Sequence, residues 1–332
     1  MIMKNLRALT LAVMTLSTAA VFFSSCERED LPTGADSKYV TLKVSTEKNV
    51  ETKSVSRKHF ETIDLSDKGV QLFLSGYQTV NNESPFEVTK ASNPYLKDSV
   101  TSFSIRMVSP DGKVEDGIAN RSSESADHWY IMNNGKKVEW SEASGDSHFL
   151  AFYPSTVNSF VSSNSVKFAT DGQSDFLVAS VDWAHKHSDY HNPATYVPLT
   201  FRHPLALVKF KVASDLGVTK ITVNNAATTG TITDNGKSFS YASDSKGTLE
   251  ATYVETLTDG TKTYSVYVMP EKIGADGINV TFYVGGQILT TANLGVESWA
   301  AGYIYNYRLS SGYKDGDVDI ELSDDAQTIE NV

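Results

Sequence analysis

Two groups of side chains in this sequence are suited to chemistry, a single cysteine and a cluster of histidines. Cys26 is the only cysteine in the 332 residues, so its thiol cannot form an internal disulfide and is available for acylation. Three of the seven histidines lie within residues 185–191. Imidazoles at this spacing suit zinc or copper, with Asp182 or Asp189 completing a site. We favour a solvated loop for this segment and predict no metal.

Motifs that mark common active sites are missing from the sequence. It contains no Gly-x-Ser-x-Gly elbow, no His-Glu-x-x-His pair, no Walker loop and no Gly-x-Gly-x-x-Gly turn. Asp315, Asp317 and Asp319 alternate, but this suits calcium only loosely because the final Glu of a calcium loop is lacking. We therefore predict that the protein is not an enzyme and uses no cofactor.

The first 25 residues predict a cleaved export signal. Lys4 and Arg7 give a positive start, and residues 8–23 form an apolar run of about 16 residues, shorter than a membrane span. The stretch Phe23-Ser24-Ser25-Cys26 resembles a lipobox, in which the cysteine carries acyl chains such as palmitate. Two or more chains hold a protein stably at a membrane. The alternative is a secreted protein with a chance cysteine.

The residues after Cys26 indicate where the lipoprotein resides. Glu27-Arg28-Glu29-Asp30 resembles the surface-export signal of Bacteroidetes lipoproteins. This predicts an outer-membrane lipoprotein that is anchored by its lipid and exposed at the cell surface. Residues 26–37 are polar and rich in breakers, which is typical of a tether.

The composition is that of an acidic globular protein. Apolar residues make up 40% of the chain and the formal net charge is −11. Loss of Lys4 and Arg7 with the signal removes two positive charges and takes −11 to −13. Because such a chain repels phosphate backbones, we predict no nucleic-acid partner.

Short alternating segments predict an all-β sandwich architecture. They begin at residues 39–44 and recur at 70–74, 103–108, 148–153 and 176–180. A second series covers 199–201, 205–212, 220–223, 263–269, 280–284, 287–289 and 303–309. The polar stretch from His185 to Pro198 separates the series. We therefore predict domains at 38–196 and 197–332, with Tyr303, Tyr305 and Tyr307 packed in the sheet rather than stacking on sugars.

Five of these segments resemble the markers of the fimbrillin family of Bacteroidetes, the subunits of type V pili and their relatives. They are Phe149-Leu150-Ala151-Phe152-Tyr153-Pro154, Asp175-Phe176-Leu177-Val178-Ala179, Leu199-Thr200-Phe201-Arg202-His203-Pro204-Leu205-Ala206-Leu207-Val208, Val268-Met269-Pro270 and Trp299-Ala300-Ala301-Gly302-Tyr303-Ile304-Tyr305-Asn306-Tyr307. The resemblance implies two tandem β-sandwich domains of transthyretin-like type and a role in assembly without catalysis.

The resemblance also implies processing by a trypsin-like protease that removes the first strand, here Tyr39 to Val44. We place the cut at Arg57-Lys58, with Lys53-Ser54 as second choice; the alternative is a solvated basic loop that stays intact. The emptied groove would accept a strand from a neighbouring subunit, because unpaired backbone groups and an apolar slot favour β-augmentation.

The C-terminal tail is the candidate donor strand. Val318, Ile320 and Leu322 alternate and share one face, as an acceptor groove requires. The alternative is a final edge strand followed by a frayed end. Separately, Asp98-Ser99-Val100 resembles the Bacteroidetes O-glycosylation acceptor, which makes Ser99 a candidate for modification.

These observations lead to one main hypothesis and one alternative. The first is a structural or accessory subunit of a type V fimbria that is exported as a lipoprotein, assembled by protease-triggered strand exchange and active in cell adhesion. Its partners would be other fimbrial subunits, the protease and host or bacterial surface ligands. The alternative is a surface adhesin or glycan-binding lipoprotein that does not polymerise.

Overall fold

The computed structural model describes residues 38–47, 58–66, 71–81, 100–122, 128–155, 158–185, 196–234, 239–274, 277–292, 294 and 296–312. All of them fall within the compact unit Pro32–Val332. Apart from a 3-10 turn at Ser214–Leu216, the regular structure in these ranges is β-strand. The prediction of an all-β chain is thus confirmed. No helix among the described residues has the length and apolar character needed to cross a membrane.

The strands alternate with turns along the whole described chain. They are β1 (Thr41–Thr46), β2 (Lys58–Asp64), β3 (Phe73–Val80), β4 (Ser102–Val108), β5 (Val114–Arg121), β6 (His128–Asn133), β7 (Lys136–Lys137), β8 (Gly145–Tyr153), β9 (Ser159–Ser162), β10 (Ser165–Ala169), β11 (Leu177–His185), β12 (Val197–Phe201), β13 (Ala206–Val212), β14 (Lys220–Asp234), β15 (Phe239–Glu250), β16 (Thr252–Thr256), β17 (Lys262–Val268), β18 (Glu271–Lys272), β19 (Asn279–Val284), β20 (Gln287–Ala292), β21 (Ser298–Trp299) and β22 (Tyr303–Ser310).

The first sheet has the order β11-β8-β4-β5-β6-β1-β12, with β7 paired to β6. Its neighbours are antiparallel except for β1 and β12, which run parallel. Its two outer strands also meet, because Val178 and Arg202 exchange backbone hydrogen bonds of 3.1 and 2.8 Å. The sheet therefore curls round its own apolar core, which contains Phe103, Trp129 and Phe149.

Two further sheets pack against each other across a second core. One has the order β16-β17-β13-β22-β3-β2, and the other has β20-β19-β14-β10-β9 with β15 paired to β14. Val208, Val266 and Tyr307 from the former share a buried cluster with Ile221 and Phe282 from the latter. This face-to-face packing of two sheets is the arrangement of a β-sandwich.

A third apolar cluster joins the first sheet to the sandwich. Leu150 and Phe152 on β8 pack with Phe168 on β10, Ile232 on β14 and Met269. Strand membership does not follow the predicted boundary at residue 197. β12 belongs to the first sheet, whereas β3, β9 and β10 join sheets built mainly from later strands. The division into two domains at that residue stays a prediction.

Candidate functional site

The candidate site is the slot that β1 fills in the first sheet. β1 lies between β6 and β12 and is hydrogen-bonded to both. On one side Leu42 is opposite Trp129, and on the other it is opposite Val197. Because both sides of its backbone are paired, the strand is an interior strand of the sheet, and its loss would leave two rows of unpaired backbone groups.

The inner face of β1 is apolar and buried. Val40 and Leu42 are 0% exposed, and Val44 packs against the same cluster. Below them, the ring of Phe103 lies 5.0 Å from the rings of both Trp129 on β6 and Phe201 on β12. The slot therefore has an aromatic floor that connects its two walls. A strand with apolar side chains at every second position fits this slot, since its side chains alternate between the two faces.

Both ends of the segment are fixed by additional contacts. At the start, Val40 N–H donates to the Val138 carbonyl at 2.9 Å and Trp140 N–H donates to the Lys38 carbonyl at 3.0 Å. At the end, Glu47 N–H donates to the Phe201 carbonyl at 2.7 Å. The paired segment thus runs from residue 38 to residue 47, longer than the stretch Tyr39 to Val44 predicted from sequence.

Ion pairs secure the same two ends. Nζ of Lys38 lies 3.0 Å from Oε1 of Glu139, and Nε of Arg202 lies 3.0 Å from Oε2 of Glu47. All four side chains are substantially exposed, so each pair adds little to stability. Arg202 also contributes through its backbone, which forms the two hydrogen bonds to Val178 that join the outer strands of the sheet.

Two marker segments of the sequence meet through an acid and a histidine. Oδ2 of Asp175 lies 2.6 Å from Nδ1 of His203, whose side chain is only 3% exposed. The other oxygen of Asp175 accepts the backbone N–H of Phe176 at 2.8 Å. The pair therefore anchors the chain just before β11 to the segment between β12 and β13, next to the point where the first sheet closes.

The last marker segment forms hydrogen bonds inside the sandwich. Trp299 Nε1 donates to the hydroxyl oxygen of Tyr307 at 3.1 Å, and the N–H of Ala300 donates to that of Tyr305 at 2.9 Å. Tyr305 and Tyr307 are each 2% exposed, which confirms that they pack in the core. Burial raises the pKa of the Tyr307 hydroxyl far above its ordinary value.

An open cavity of about 730 Å³ adjoins the start of the slot. Its lining includes Trp140, together with charged and amide side chains of the neighbouring turns. The ammonium of Lys113 and the amide of Asn133 hydrogen-bond to Glu115 and hold the pKa of its carboxyl below the ordinary value. The cavity thus presents fixed charges of both signs. In the part of the chain that the structure describes, no group of three or more histidine, cysteine or acidic side chains is placed to hold a metal ion.

Most residues that the sequence singled out lie outside the described residues, so their roles stay predictions. These residues are Cys26, Arg57, Ser99, Val318, Ile320 and Leu322, as well as the histidine segment from residue 186 onward. Lys58 is the first residue of β2, where its backbone pairs with Gln78 on β3.

Sequence reasoning missed the walls of the slot. Trp129 and Ile131 on β6 are buried while His128, Tyr130 and Met132 are not, which gives the period of two expected of a half-buried strand. That alternation was the available signal. No local pattern could have identified β6 and β12 as the neighbours of β1.

Comparison with protein-family models gives a match over most of the chain. Residues 89–330 match the family described as fimbrillin-like. No curated protein shows a significant match to the sequence.

Solved structures give several weaker likenesses. A candidate cell adhesion protein from Bacteroides uniformis shares 14% identity at a TM-score of 0.44, with 64% of this chain and 91% of that chain covered. A candidate cell adhesion protein from Bacteroides ovatus shares 13% identity at a TM-score of 0.43, with 83% of this chain and 96% of that chain covered. The fimbrial anchor protein Mfa2 from Porphyromonas gingivalis shares 11% identity at a TM-score of 0.35, with 61% of this chain and 79% of that chain covered.

Proposed function

Because the chain belongs to the fimbrillin-like family, we propose that it is a surface fimbrial subunit that assembles by exchanging β1 for a strand of a neighbouring subunit. The observation that carries this proposal is the slot itself. β1 is paired on both sides, and its Leu42 and the adjoining Val40 are completely buried. An emptied slot would therefore combine unpaired backbone groups with exposed apolar surface, which only another strand satisfies together.

The connection between β1 and β2 supports removal of β1 by a single cut. Residues 47–57 join the two strands, and β1 and β2 belong to different sheets. A cut after Arg57 would make Lys58 the new first residue, and β2 would keep its pairing with β3. Such a cut frees β1 without disturbing the sandwich. Lys53 offers a trypsin-like protease a second position in the same connection.

The proposed donor is the segment that follows β22. Residues 313–332 come after the last described residue, and Val318, Ile320 and Leu322 alternate within them. This apolar period matches that of Val40, Leu42 and Val44 in the paired segment 38–47. Aspartates 315, 317, 319, 324 and 325 in the same segment keep it soluble until it inserts.

Export and anchoring belong to the same proposal. The chain reaches the surface of the outer membrane as a lipoprotein acylated on Cys26, and its mature form comprises two β-sandwich units of transthyretin-like type. If the connection at Arg57 is cut, Cys26 leaves with β1 and neighbouring subunits hold the protein in the fimbrium. If it stays intact, the lipid keeps the protein as an anchor or accessory subunit that supports adhesion.

Mass spectrometry of the protein shed from cells tests the processing step. The expected N-terminus is Lys58, and Arg57→Gln should abolish this product whereas the control Lys53→Gln should leave it unchanged. A shed protein that still begins at lipidated Cys26 would show that this subunit is not processed.

Truncation after Ser311 tests the donor. The truncated chain should remain a folded monomer and should form no ladder of polymers on gels, whereas the full chain should form one. A control that replaces Asp324 and Asp325 by asparagine keeps the apolar period and should still polymerise. An unchanged ladder after truncation would refute the donor role of the tail.

The cavity beside the slot favours glycan binding as a second candidate function. Its volume of about 730 Å³ suits a small saccharide, and its lining supplies carboxylates, ammonium groups and amides that are able to bind hydroxyls. In that case a monomer should bind on a glycan array, and Glu115→Gln should weaken binding because Glu115 lines the cavity. Binding that is equal in wild type and variant would remove the cavity from consideration.

A further inference from the structure

Two rings on the outer face of the first sheet meet across β1. His128 is the first residue of β6, and Tyr196 immediately precedes β12. Their ring centroids are 4.5 Å apart and the ring planes are inclined by 26°, so the rings are stacked. Because β1 lies between β6 and β12, the stack connects the two walls of the slot over the strand that fills it.

The register places the stack above the first three residues of β1. Lys43 is opposite His128 on β6, and Leu42 is opposite Val197 on β12, so Tyr196 comes beside Thr41. Neighbouring strands lie about 4.8 Å apart, so the two walls are separated by roughly 10 Å. Rings that meet from walls this far apart must extend over the strand between them.

The burial of Thr41 agrees with this placement. Leu42 points into the core, so Thr41 and Lys43 point outward. Lys43 is exposed, as expected for an outward side chain, but Thr41 is only 4% exposed. Its hydroxyl donates to the carbonyl of its near neighbour Tyr39 at 3.4 Å. A small side chain therefore sits beneath the stacked rings and satisfies its own hydroxyl locally.

We propose that His128 and Tyr196 form a clamp that retains the strand in the slot and selects its sequence. Outward release of β1 requires the two rings to separate. Entry of another strand requires that it carry a side chain no larger than threonine at the position of Thr41, a limit that Asp319 meets in the proposed donor when Val318 and Ile320 take the places of Val40 and Leu42. The retention of β1 concerns the intact chain alone, whereas the selection of an incoming strand rests on the proposed function.

The clamp specifies the partner strand more narrowly than the apolar floor does. The aromatic floor favours apolar side chains at the positions of Val40 and Leu42. The clamp adds a small side chain between them on the opposite face, and it leaves the position of Lys43 open. A strand with a bulky side chain at the position of Thr41 would have to push the rings apart.

Hydrogen exchange of the intact, uncut chain tests retention. In Tyr196→Ala and in His128→Ala, the amides of residues 39–46 should exchange about two- to tenfold faster, which is the range expected for one stacked ring pair. Amides of β17 report on the sandwich and should be unchanged. Tyr196→Phe keeps the ring and should exchange like wild type.

Thr200→Ala is the matched control. Thr200 points outward on β12, and its hydroxyl lies 3.3 Å from that of Ser45 on β1, so it contacts the strand without covering it. In Thr200→Ala the amides of residues 39–46 should exchange within about twofold of the wild-type rate, because a single surface contact between neighbouring strands contributes little free energy. Equal exchange in Tyr196→Ala and wild type would overturn the clamp, and so would equal acceleration by Thr200→Ala.

Substitution of Thr41 tests selection. Thr41→Ser and Thr41→Ala should exchange like wild type, whereas Thr41→Phe should accelerate exchange of residues 39–46. In a Tyr196→Ala background Thr41→Phe should no longer accelerate amide exchange of residues 39–46, because the phenylalanine does not have to displace the tyrosine ring. An equal acceleration of exchange by Thr41→Phe in the presence and absence of Tyr196→Ala would refute selection by the clamp. All of these measurements use the uncut monomer, so they decide the clamp independently of polymer formation, which the truncation after Ser311 decides.

Discussion

Replacing Leu42 by alanine tests whether β1 leaves the subunit during assembly. In the intact chain Leu42 is 0% exposed and belongs to the core of the first sheet. Shortening a fully buried leucine to alanine costs about 3 to 5 kcal/mol, because transfer free energy is lost and a cavity remains. With an m-value of about 3 kcal/mol/M for a chain of this size, the urea midpoint should fall by about 1 to 1.7 M.

The same substitution should have no effect on the assembled polymer. After strand exchange the slot holds a neighbour's strand, and residue 42 is no longer part of the structure. The temperature at which detergent-resistant ladders dissociate should therefore be equal for wild-type and Leu42→Ala polymers. Strand exchange would therefore be seen as a loss of stability that Leu42→Ala causes in the monomer but not in the polymer.

Leu199→Ala is the matched control. Leu199 is also a leucine with 0% exposure, lies in the same core and is opposite Val44 on the adjacent strand. It stays in the subunit under any form of strand exchange, so its replacement should destabilise both monomer and polymer. If Leu42→Ala lowers the dissociation temperature of the polymer as much as Leu199→Ala does, then β1 is retained and the exchange mechanism is refuted.

Two further predictions concern the marker segments. Asp175→Ala should lower the free energy of unfolding by about 1 to 3 kcal/mol in urea titrations, because it leaves the buried ring of His203 without its carboxylate; an unchanged midpoint would show that the pair has no structural weight. Burial raises the pKa of Tyr307, so the unfolded chain ionises this hydroxyl at lower pH than the folded chain does, and stability should fall as pH rises above about 10. Tyr307→Phe should make that alkaline decline shallower and should also lower stability at neutral pH by about 1 to 3 kcal/mol, since the indole N–H of Trp299 loses its acceptor; equal slopes in alkaline urea titrations would contradict the assignment.

Local patterns in the sequence predicted many strands correctly. The alternation at residues 263–269 corresponds to β17, and that at 303–309 corresponds to β22. Gly285 and Gly286 both adopt positive φ angles between β19 and β20, as a tight two-residue hairpin turn requires. Strand formation with one buried face depends on neighbouring residues along the chain, so a single sequence carries this information.

Other strands gave no usable local signal. β15 is a strand of 12 residues, but nearly all of its side chains are exposed and many are serine, glycine or charged residues. It is stable as a strand because it pairs along almost the whole length of β14. A partner supplied by the tertiary structure here outweighs weak intrinsic β-propensity.

The sequence by itself determined that this protein is built of strands, that its family is fimbrillin-like and that β1 carries an apolar face. Only the tertiary structure decided what surrounds β1. β12 is its parallel neighbour although Leu42 and Val197 are far apart in the chain, and the rings of His128 and Tyr196, which are also remote in sequence, stack on each other. The physical reason is that alternation follows from the two-residue period of the backbone, whereas strand order and side-chain cover follow from packing between segments that are remote in sequence.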